Sequence, residues 1–441
     1  MGYFEQGEAR PEETGAIPTV LPDEAEIYHH RGQMGSMSRS SDFFLITEKN
    51  LGNIGGSEIS TRNMLRFGGG HWRVLSPMAL PSDLHYLQTP LSTTRIPFAN
   101  LTQLPSFGDI AKINAQYGSE QPRCVIFDSP ALYGATIFAG LSAEAKRNSV
   151  AIWRVEIGPK ESLIGIKGIK RKILTHIRRL MANNVRINLA VSAAVADSLM
   201  AIGVDPGKIQ VIPEQVGGEF TPRERILYDG NWKCQLLDHD ELGVLVVSRV
   251  SPEKGLMWLP KIYEALRRER KNLNPDALYR KVKIGLVGNQ NLVFPNHLGQ
   301  ILDGVKLATA NTSEELWSES VKFEYMGPKT PGELQNIYNA FDILVNPSPR
   351  EGFGRVTVEA MNGGMTVIGR AECKATKSTI TKAPYSIGLL AGDEQEVASQ
   401  IIDFMQNPPF LQYLSANALQ WSAGHFSLAE AERQFLAAIY S

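Results

Sequence analysis

Short apolar runs alternate with helical and Gly-rich segments along the first half of the chain. Strands are predicted at 43–47, 72–75, 124–127, 150–153, 187–191 and 209–212. A helix is predicted over 59–67, between the first two strands, and another runs from its N-cap Ser192 to about 202. Strands that alternate with helices in this way indicate a parallel sheet.

The same alternation returns in the second half, with strands predicted at 243–247, 283–287, 321–325 and 343–345. The segment KTPGE is a capping box, in which Thr330 caps a helix, Pro331 starts it and Glu333 reaches back to the cap. A polar stretch at about 221–240 separates the two series. Two α/β domains in tandem leave a cleft between the carboxyl ends of their strands, where open sheets bind ligands.

Two glutamates flank a Gly-Phe-Gly turn in the segment PSPREGFGRVTVEAMNGG, which follows the strand at 343–345. Glu351 is predicted on the loop, and Glu359 about two turns into the next helix, so that both can face one cleft. The pair could act as general acid and base. Ionised carboxylates could equally accept hydrogen bonds from the hydroxyls of a sugar.

Glycines lie at two of the predicted strand-to-helix loops. Gly55 and Gly56 follow the first strand, and Gly352, Phe353 and Gly354 precede the helix that carries Glu359. Glycine lets backbone N–H groups approach an anion, and a helix N-terminus adds positive partial charge. Simple turn formation explains Gly55-Gly56 equally well. The GxGxxG and GxxxxGK[ST] patterns are absent from these loops, which argues against NAD and ATP.

Two cations follow the strand at 243–247 on a single loop. Arg249 and Lys254 are five residues apart, and such a pair suits a diphosphate whose charge must be neutralised. Surface salt bridges are the alternative for each residue taken alone. Opposite the glutamate loop, the diphosphate interpretation is favoured.

Composition narrows the class of protein. A chain of 441 residues is too long for one ordinary core. Its 45 Lys and Arg against 46 Asp and Glu give no support for a nucleic-acid partner. Three widely separated cysteines indicate a reducing compartment. Without a membrane-length apolar stretch or a signal-peptide pattern, a cytoplasmic location is predicted.

The segment 160–182 is basic and interleaved with Ile and Leu. Such a segment can lie on an anionic membrane surface, which predicts peripheral contact with the inner face of the membrane. A solvated helix face packed on the sheet is the alternative.

With these residues assembled, the chain from Phe43 to Ser441 resembles the retaining glycosyltransferases of family 4. The resemblance rests on the E-x7-E motif in EGFGRVTVE, with VSRVSPEKGL, AVSAAVADSLMAIGVDPGKIQVIPEQV and GGSE in support. It implies an α/β protein of the GT-B fold, with two Rossmann-like β/α/β domains facing each other across a cleft. The implied division is a flexible leader (1–40), an acceptor-side domain (41–222), a nucleotide-sugar domain (223–415) and a last helical segment (416–441) that crosses back.

The resemblance implies transfer of a hexosyl unit, with retention, from a nucleotide diphosphate sugar to a hydroxyl of a glycan, lipid-linked or small-molecule acceptor. A UDP-sugar is the favoured donor and GDP-mannose the second. By the same resemblance, the family needs no metal or other cofactor. Three alternatives stay open: a non-catalytic sugar-nucleotide-binding partner subunit, a nucleotide-sugar epimerase of the same fold, and, with no feature in its favour, a phosphorylase.

Roles follow from the motif positions. By resemblance, Glu351 holds hydroxyls of the donor sugar and Glu359 holds the ribose. Arg249 and Lys254 clamp the diphosphate. The glycines Gly55 and Gly56, together with the amides of 352–354, let the phosphates approach.

The sequence departs from the family at one place. Many relatives carry a histidine at the end of a first-domain strand, but VAIWRVEIGP at 150–159 has none. Glu156 is ranked first as its catalytic replacement by position, with Arg154 and Asp128 as further candidates. The pocket for the base is predicted near 287–289 and 326–329.

Overall fold

The structure is a computed structural model that describes most of the chain between Asp42 and Tyr440. Within that span the gaps are 48, 50, 52–55, 68–70, 79, 82–86, 92–93, 96–102, 131, 156–168, 217–236, 239, 270–272, 275–276 and 311–319. The predicted leader (1–40), Gly55, Glu156 and the predicted domain boundary at 222/223 therefore lie outside the described residues.

The N-terminal domain is built on a parallel sheet of seven strands, in the order β3-β2-β1-β6-β7-β8-β9. A separate antiparallel pair is formed by β4 and β5. The strands are β1 Phe43–Ile46, β2 Trp72–Ser76, β3 Leu87–Pro90, β4 Thr94–Arg95, β5 Gln103–Leu104, β6 Cys124–Asp128, β7 Ser149–Trp153, β8 Ile187–Ala190 and β9 Ile209–Val211. The helices are α1 Gly56–Met64, α2 Phe107–Glu120, α3 Leu132–Gly140, α4 Ala143–Arg147, α5 Ile169–Asn184 and α6 Ala193–Ala201.

The C-terminal domain has a parallel sheet of six strands, in the order β12-β11-β10-β13-β14-β15. The strands are β10 Glu241–Val247, β11 Lys281–Val287, β12 Val321–Gly327, β13 Ile343–Asn346, β14 Thr366–Arg370 and β15 Gly388–Ala391. The helices are α7 Trp258–Glu269, α8 His297–Ala310, α9 Pro331–Ala340, α10 Arg355–Asn362, α11 Lys374–Thr381, α12 Glu394–Gln406, α13 Pro408–His425 and α14 Leu428–Tyr440.

The central strands are apolar on both faces because helices cover both sides of each sheet. Every residue of β1, β6 and β13 is buried. The apolar runs were therefore sufficient to predict these strands. The two predicted helix caps are confirmed: Ser192 accepts from the backbone N–H of Val195 (3.2 Å), and Thr330 and Glu333 form the capping box.

Some predicted bounds are wrong. The helix predicted over 59–67 begins at Gly56 and ends at Met64. The helix that carries Glu359 begins only at Arg355, so Glu359 lies about one turn into it rather than two. The reason is the conformation of Gly354. Its φ of 86° is left-handed, so Gly354 cannot be part of a right-handed helical turn, and the helix starts after it.

The last helix returns to the N-terminal domain. On α14 the ring of Phe435 lies 5.5 Å from that of Phe67 and 6.4 Å from that of Trp72, measured between centroids. Arg123 donates to the hydroxyl of Tyr440 at 3.1 Å. These contacts tie the end of the described chain to the first sheet. Among the described helices, none combines the length and the apolar character needed to cross a bilayer.

Candidate active site

Two of the predicted site residues contact each other at the carboxyl ends of the strands of the C-terminal sheet. The ammonium of Lys254 lies 2.7 and 2.8 Å from the two carboxylate oxygens of Glu351, and both side chains are largely buried. Gly255, with φ 68°, makes this approach possible, because a side chain there would overlap the carbonyl oxygen of Pro347. The two loops that follow the carboxyl ends of β10 and β13 are thus held together.

Arg249 is differently placed. Its side chain is 66% exposed, and its guanidinium lies 3.9 Å from the carboxylate of Glu253. That carboxylate also accepts from the hydroxyl of Ser251 at 2.6 Å. Because its ion pair is long and exposed, the Arg249 guanidinium is available to a ligand.

The glycine loop (352–354) is in contact with the N-terminal domain. A side chain at Gly352 would overlap the carbonyl oxygen of Arg154 in the N-terminal domain. The Gly352 carbonyl accepts from the hydroxyl of Ser192 at 2.5 Å, which links it to the start of α6. Phe353 is buried, with its ring 5.7 Å from that of Phe426. Glycine at 352 is therefore required by close packing between the domains.

Glu359 is buried and held on both sides. One carboxylate oxygen lies 3.2 Å from Nε of Arg355, and the other accepts from the hydroxyl of Tyr338 at 3.0 Å. Burial and the charge of Glu359 raise the pKa of the Tyr338 phenol well above its usual value, so the hydroxyl stays a donor. Each carboxylate oxygen retains a further lone pair that a ribose hydroxyl could use.

Arg154 and Asp128 are the two described candidates to replace the family's histidine. They form an ion pair with each other. Arg154 lies 2.8 Å from Asp128 and 2.7 Å from Glu214. Asp128 also accepts from Lys49 at 2.7 Å and from the hydroxyl of Thr61. Burial alone would raise the pKa of Asp128, but the charges of Arg154 and Lys49 outweigh it and hold that pKa below its usual range. A permanently charged arginine and an ionised aspartate do not exchange protons near neutral pH.

Several residues near the candidate site were not predicted from the sequence. Ser60 on α1 donates to Glu214 at 2.9 Å and accepts from Arg355 at 2.8 Å, so it joins the two domains. The position of Arg355 carried a signal that could have found it. A cation in the first turn of a helix opposes the helix dipole, and such a local conflict commonly marks a functional position.

The predicted base pocket lies at the ends of β11 and β12. Gly288, with φ 154°, packs against the carbonyl oxygen of Ser248, and its own carbonyl accepts from the hydroxyl of Tyr325 at 2.8 Å. Its N–H donates to the carbonyl of Gly327 at 3.1 Å. The described residues contain no group of three His, Cys, Asp or Glu side chains placed to hold a metal ion.

The two parallel sheets, joined at the ends of their strands, define the GT-B fold, as predicted. The crystal structure of Anabaena Alr3699/HepE in complex with UDP and glucose superposes with a TM-score of 0.67. It is 18% identical, and the match covers 91% of this chain and 100% of that chain. The fold prediction is confirmed.

Sequence comparison finds related proteins for part of the chain. Residues 233–421 match the model of the family described as glycosyl transferases group 1. The lipopolysaccharide core biosynthesis mannosyltransferase LpsB of Rhizobium meliloti is 33% identical over 25% of this chain and 32% of its own length. The D-inositol 3-phosphate glycosyltransferase 1 of Catenulispora acidiphila is 31% identical over 56% of each chain. The chain thus spans between about a third and just over half of these relatives.

Proposed function

We propose that this protein is a retaining glycosyltransferase that moves a hexosyl unit from a nucleotide diphosphate sugar to an acceptor hydroxyl. The observation that carries the proposal is the contact between Lys254 and Glu351, which joins the loops at the carboxyl ends of β10 and β13. A cation and a carboxylate that neutralise each other in the free protein can each bind one part of a diphosphate sugar. The match of 233–421 to the glycosyl transferases group 1 family supports the same chemistry.

Each residue has a distinct part in the proposed reaction. Lys254 moves to the diphosphate together with the exposed Arg249, and the freed carboxylate of Glu351 accepts from hydroxyls of the sugar. The backbone amides of 352–354 add donors at the start of α10. Glu359 accepts from the ribose. The two cations meet the charge of the leaving diphosphate, so the proposed reaction uses no metal and no cofactor, and the departing phosphate takes the acceptor's proton.

A UDP-sugar is the proposed donor, with GDP-mannose as the second choice. The solved structure of Alr3699/HepE contains UDP and glucose, which supports a uridine nucleotide. The name of LpsB, a mannosyltransferase, supports the second choice. The proposed acceptor is a hydroxyl of a glycan, a lipid-linked sugar or a small molecule.

A thermal-shift panel tests this proposal, with UDP, GDP, ADP, dTDP and NAD each present with and without EDTA. A ligand at 100 times its dissociation constant adds about 2.7 kcal/mol to the stability of the folded state. We expect UDP or GDP alone to raise the melting temperature, equally with EDTA, followed by transfer from the corresponding sugar nucleotide. A shift with NAD alone would contradict the proposal, and nucleotide binding without transfer would favour a non-catalytic subunit.

Peripheral membrane contact through 160–182 is part of the same proposal, with a cytoplasmic protein at the inner face of the membrane. On α5 the side chains of Ile173 and Leu180 are 54% and 51% exposed, whereas Arg178 is buried. Between α3 and α5 lies a largely apolar cavity of about 460 Å³, to which Leu180 contributes. We expect sedimentation with phosphatidylglycerol vesicles but not with phosphatidylcholine vesicles. Leu180→Asn should weaken it, and Leu307→Asn, at an exposed leucine of the C-terminal domain, should not.

A further inference from the structure

A largely buried polar network connects the two domains and includes Glu359 of the candidate site. We call it the cross-domain network, and its members are Lys49, Ser60, Thr61, Asp128, Arg154, Glu214, Arg355 and Glu359. Three cations balance three carboxylates within it. Two of the eight residues bond to both domains: Ser60, through Glu214 and Arg355, and Arg355, which is the charged one of the two.

The donors of Arg355 are divided between the two sides. Its Nε binds the carboxylate of Glu359 in the C-terminal domain at 3.2 Å. Its Nη1 donates to the hydroxyl of Ser60 and to the backbone carbonyl of Gln215, both at 2.8 Å and both in the N-terminal domain. Its Nη2 is buried and has no hydrogen-bond partner among the described residues.

This arrangement is unfavourable for a surface helix but suited to a contact between domains. We call the bonds of Arg355 to Ser60 and Gln215 the interdomain contact. Arg355 is the first residue of α10, where a cation opposes the helix dipole. An ordinary intrahelical pair with Glu359 would be exposed, whereas Arg355 is only 7% exposed. The bonds to Ser60 and Gln215 require that the two domains be in contact. Separation of the domains would break both bonds and expose the guanidinium to water.

We propose that Arg355 is a positioning residue that couples nucleotide binding at Glu359 to closure of the two domains. In the closed form it fixes the Glu359 carboxylate from one side while Tyr338 fixes it from the other. A ligand that binds better to the fixed carboxylate then favours closure, and closure raises its affinity by the same factor. The inference rests on the proposed function, in which Glu359 binds the ribose.

Hydrogen exchange and calorimetry test the coupling. Arg355→Met keeps an unbranched side chain that reaches as far as the arginine Nε, and it removes all of the hydrogen-bond donors. We expect it to weaken UDP binding at least tenfold and, at saturating UDP, to abolish the protection that UDP gives to the amides of α1 in the wild type. Arg355→Lys, which keeps the charge, should restore part of both effects.

Two further variants separate positioning from stability. Ser60→Ala removes one bond across the interface and leaves the pair of Arg355 with Glu359 in place. It should reduce the protection of α1 by UDP while changing the dissociation constant of UDP less than threefold. Arg433→Met removes a surface pair with Glu430 on α14 and should change neither quantity.

The outcomes distinguish the two proposals. If Arg355→Met lowers only the melting temperature and UDP still protects α1, the contact is structural and the coupling is wrong. If the wild type binds no nucleotide, the proposed function fails, but the interdomain contact of Arg355 can still be tested without ligand. Arg355→Met should then speed hydrogen exchange of the α1 amides at least tenfold relative to Arg433→Met. Unchanged exchange would contradict the proposed role of Arg355 in holding the two domains together.

Discussion

The two glutamates of the E-x7-E motif occupy opposite kinds of environment. Glu351 lies on a loop and has Lys254 as its charged partner, at 2.7 Å. Glu359 lies on α10, buried between Arg355 and Tyr338, with one of them on each carboxylate oxygen. The seven residues between the two glutamates therefore separate a carboxylate that can change partners from one that is held in place.

The difference in partners suggests a difference in function. Lys254 has a flexible stem and a compact charge, so it can leave Glu351 for a diphosphate at little cost in backbone rearrangement. Arg355 and Tyr338 are buried and cannot leave Glu359 without losing hydrogen bonds in a water-poor region. We therefore expect Glu351 to act on the reacting sugar during turnover, and Glu359 to define where the nucleotide sits.

The largest expected effect separates these functions directly. Glu351→Gln should lower kcat by on the order of 10²-fold, because a neutral amide no longer strengthens hydrogen bonds to the sugar as charge develops. The dissociation constant of UDP, which lacks the sugar, should change less than threefold. Glu359→Gln should do the reverse, weakening UDP roughly tenfold with a smaller effect on turnover at saturation. Steady-state kinetics and calorimetry measure both.

A matched control exists on the surface. Lys261 and Glu394 form an ion pair of 2.8 Å far along the chain from the motif, and Glu394→Gln should leave both constants unchanged. Equal losses of UDP affinity in Glu351→Gln and Glu359→Gln would contradict the division between the two carboxylates.

An intermediate effect is expected at the cation. Lys254→Met should weaken UDP by roughly 10–100-fold, the loss of one charge-assisted contact of about 1.5–3 kcal/mol. Uridine, which has no phosphate, should bind the variant and the wild type alike. The comparison is made by calorimetry at one ionic strength, since such contacts are screened by salt. Equal losses for UDP and uridine would mean that Lys254 supports the loop rather than the diphosphate.

Periodicity and apolar runs were enough to predict the fold, because the buried strands are continuous apolar segments flanked by glycine and capping residues. The start of α10 was misplaced because Gly354 adopts a left-handed conformation that composition alone does not reveal. Several elements were not predicted, among them the strands β3, β14 and β15 and the helices α2, α3, α4, α8, α11 and α12. Their weaker patterns depend on packing against the sheet rather than on local propensity.

Site residues were predicted only where they stand in a recognisable sequence motif. Lys254 and Glu351 were assigned to one site through their motifs, and the structure places them in contact. The contact of Ser60 with Arg355 joins residues 295 positions apart and has no local signal on the serine side. Long-range pairs of this kind depend on how the two sheets face each other, which one sequence does not specify.

The smallest expected effect concerns the support of the buried carboxylate. Tyr338→Phe removes the hydroxyl that donates to Glu359 and leaves one carboxylate oxygen without that donor in a buried place. We expect a lower melting temperature, from a loss of about 1.5–3 kcal/mol for a hydrogen bond to a charged group. UDP affinity should fall only a few-fold, because Arg355 still orients the carboxylate. A variant that bound UDP as poorly as Glu359→Gln would show that Tyr338, rather than Arg355, fixes the Glu359 carboxylate, so that the two partners of Glu359 would no longer differ in the way expected here.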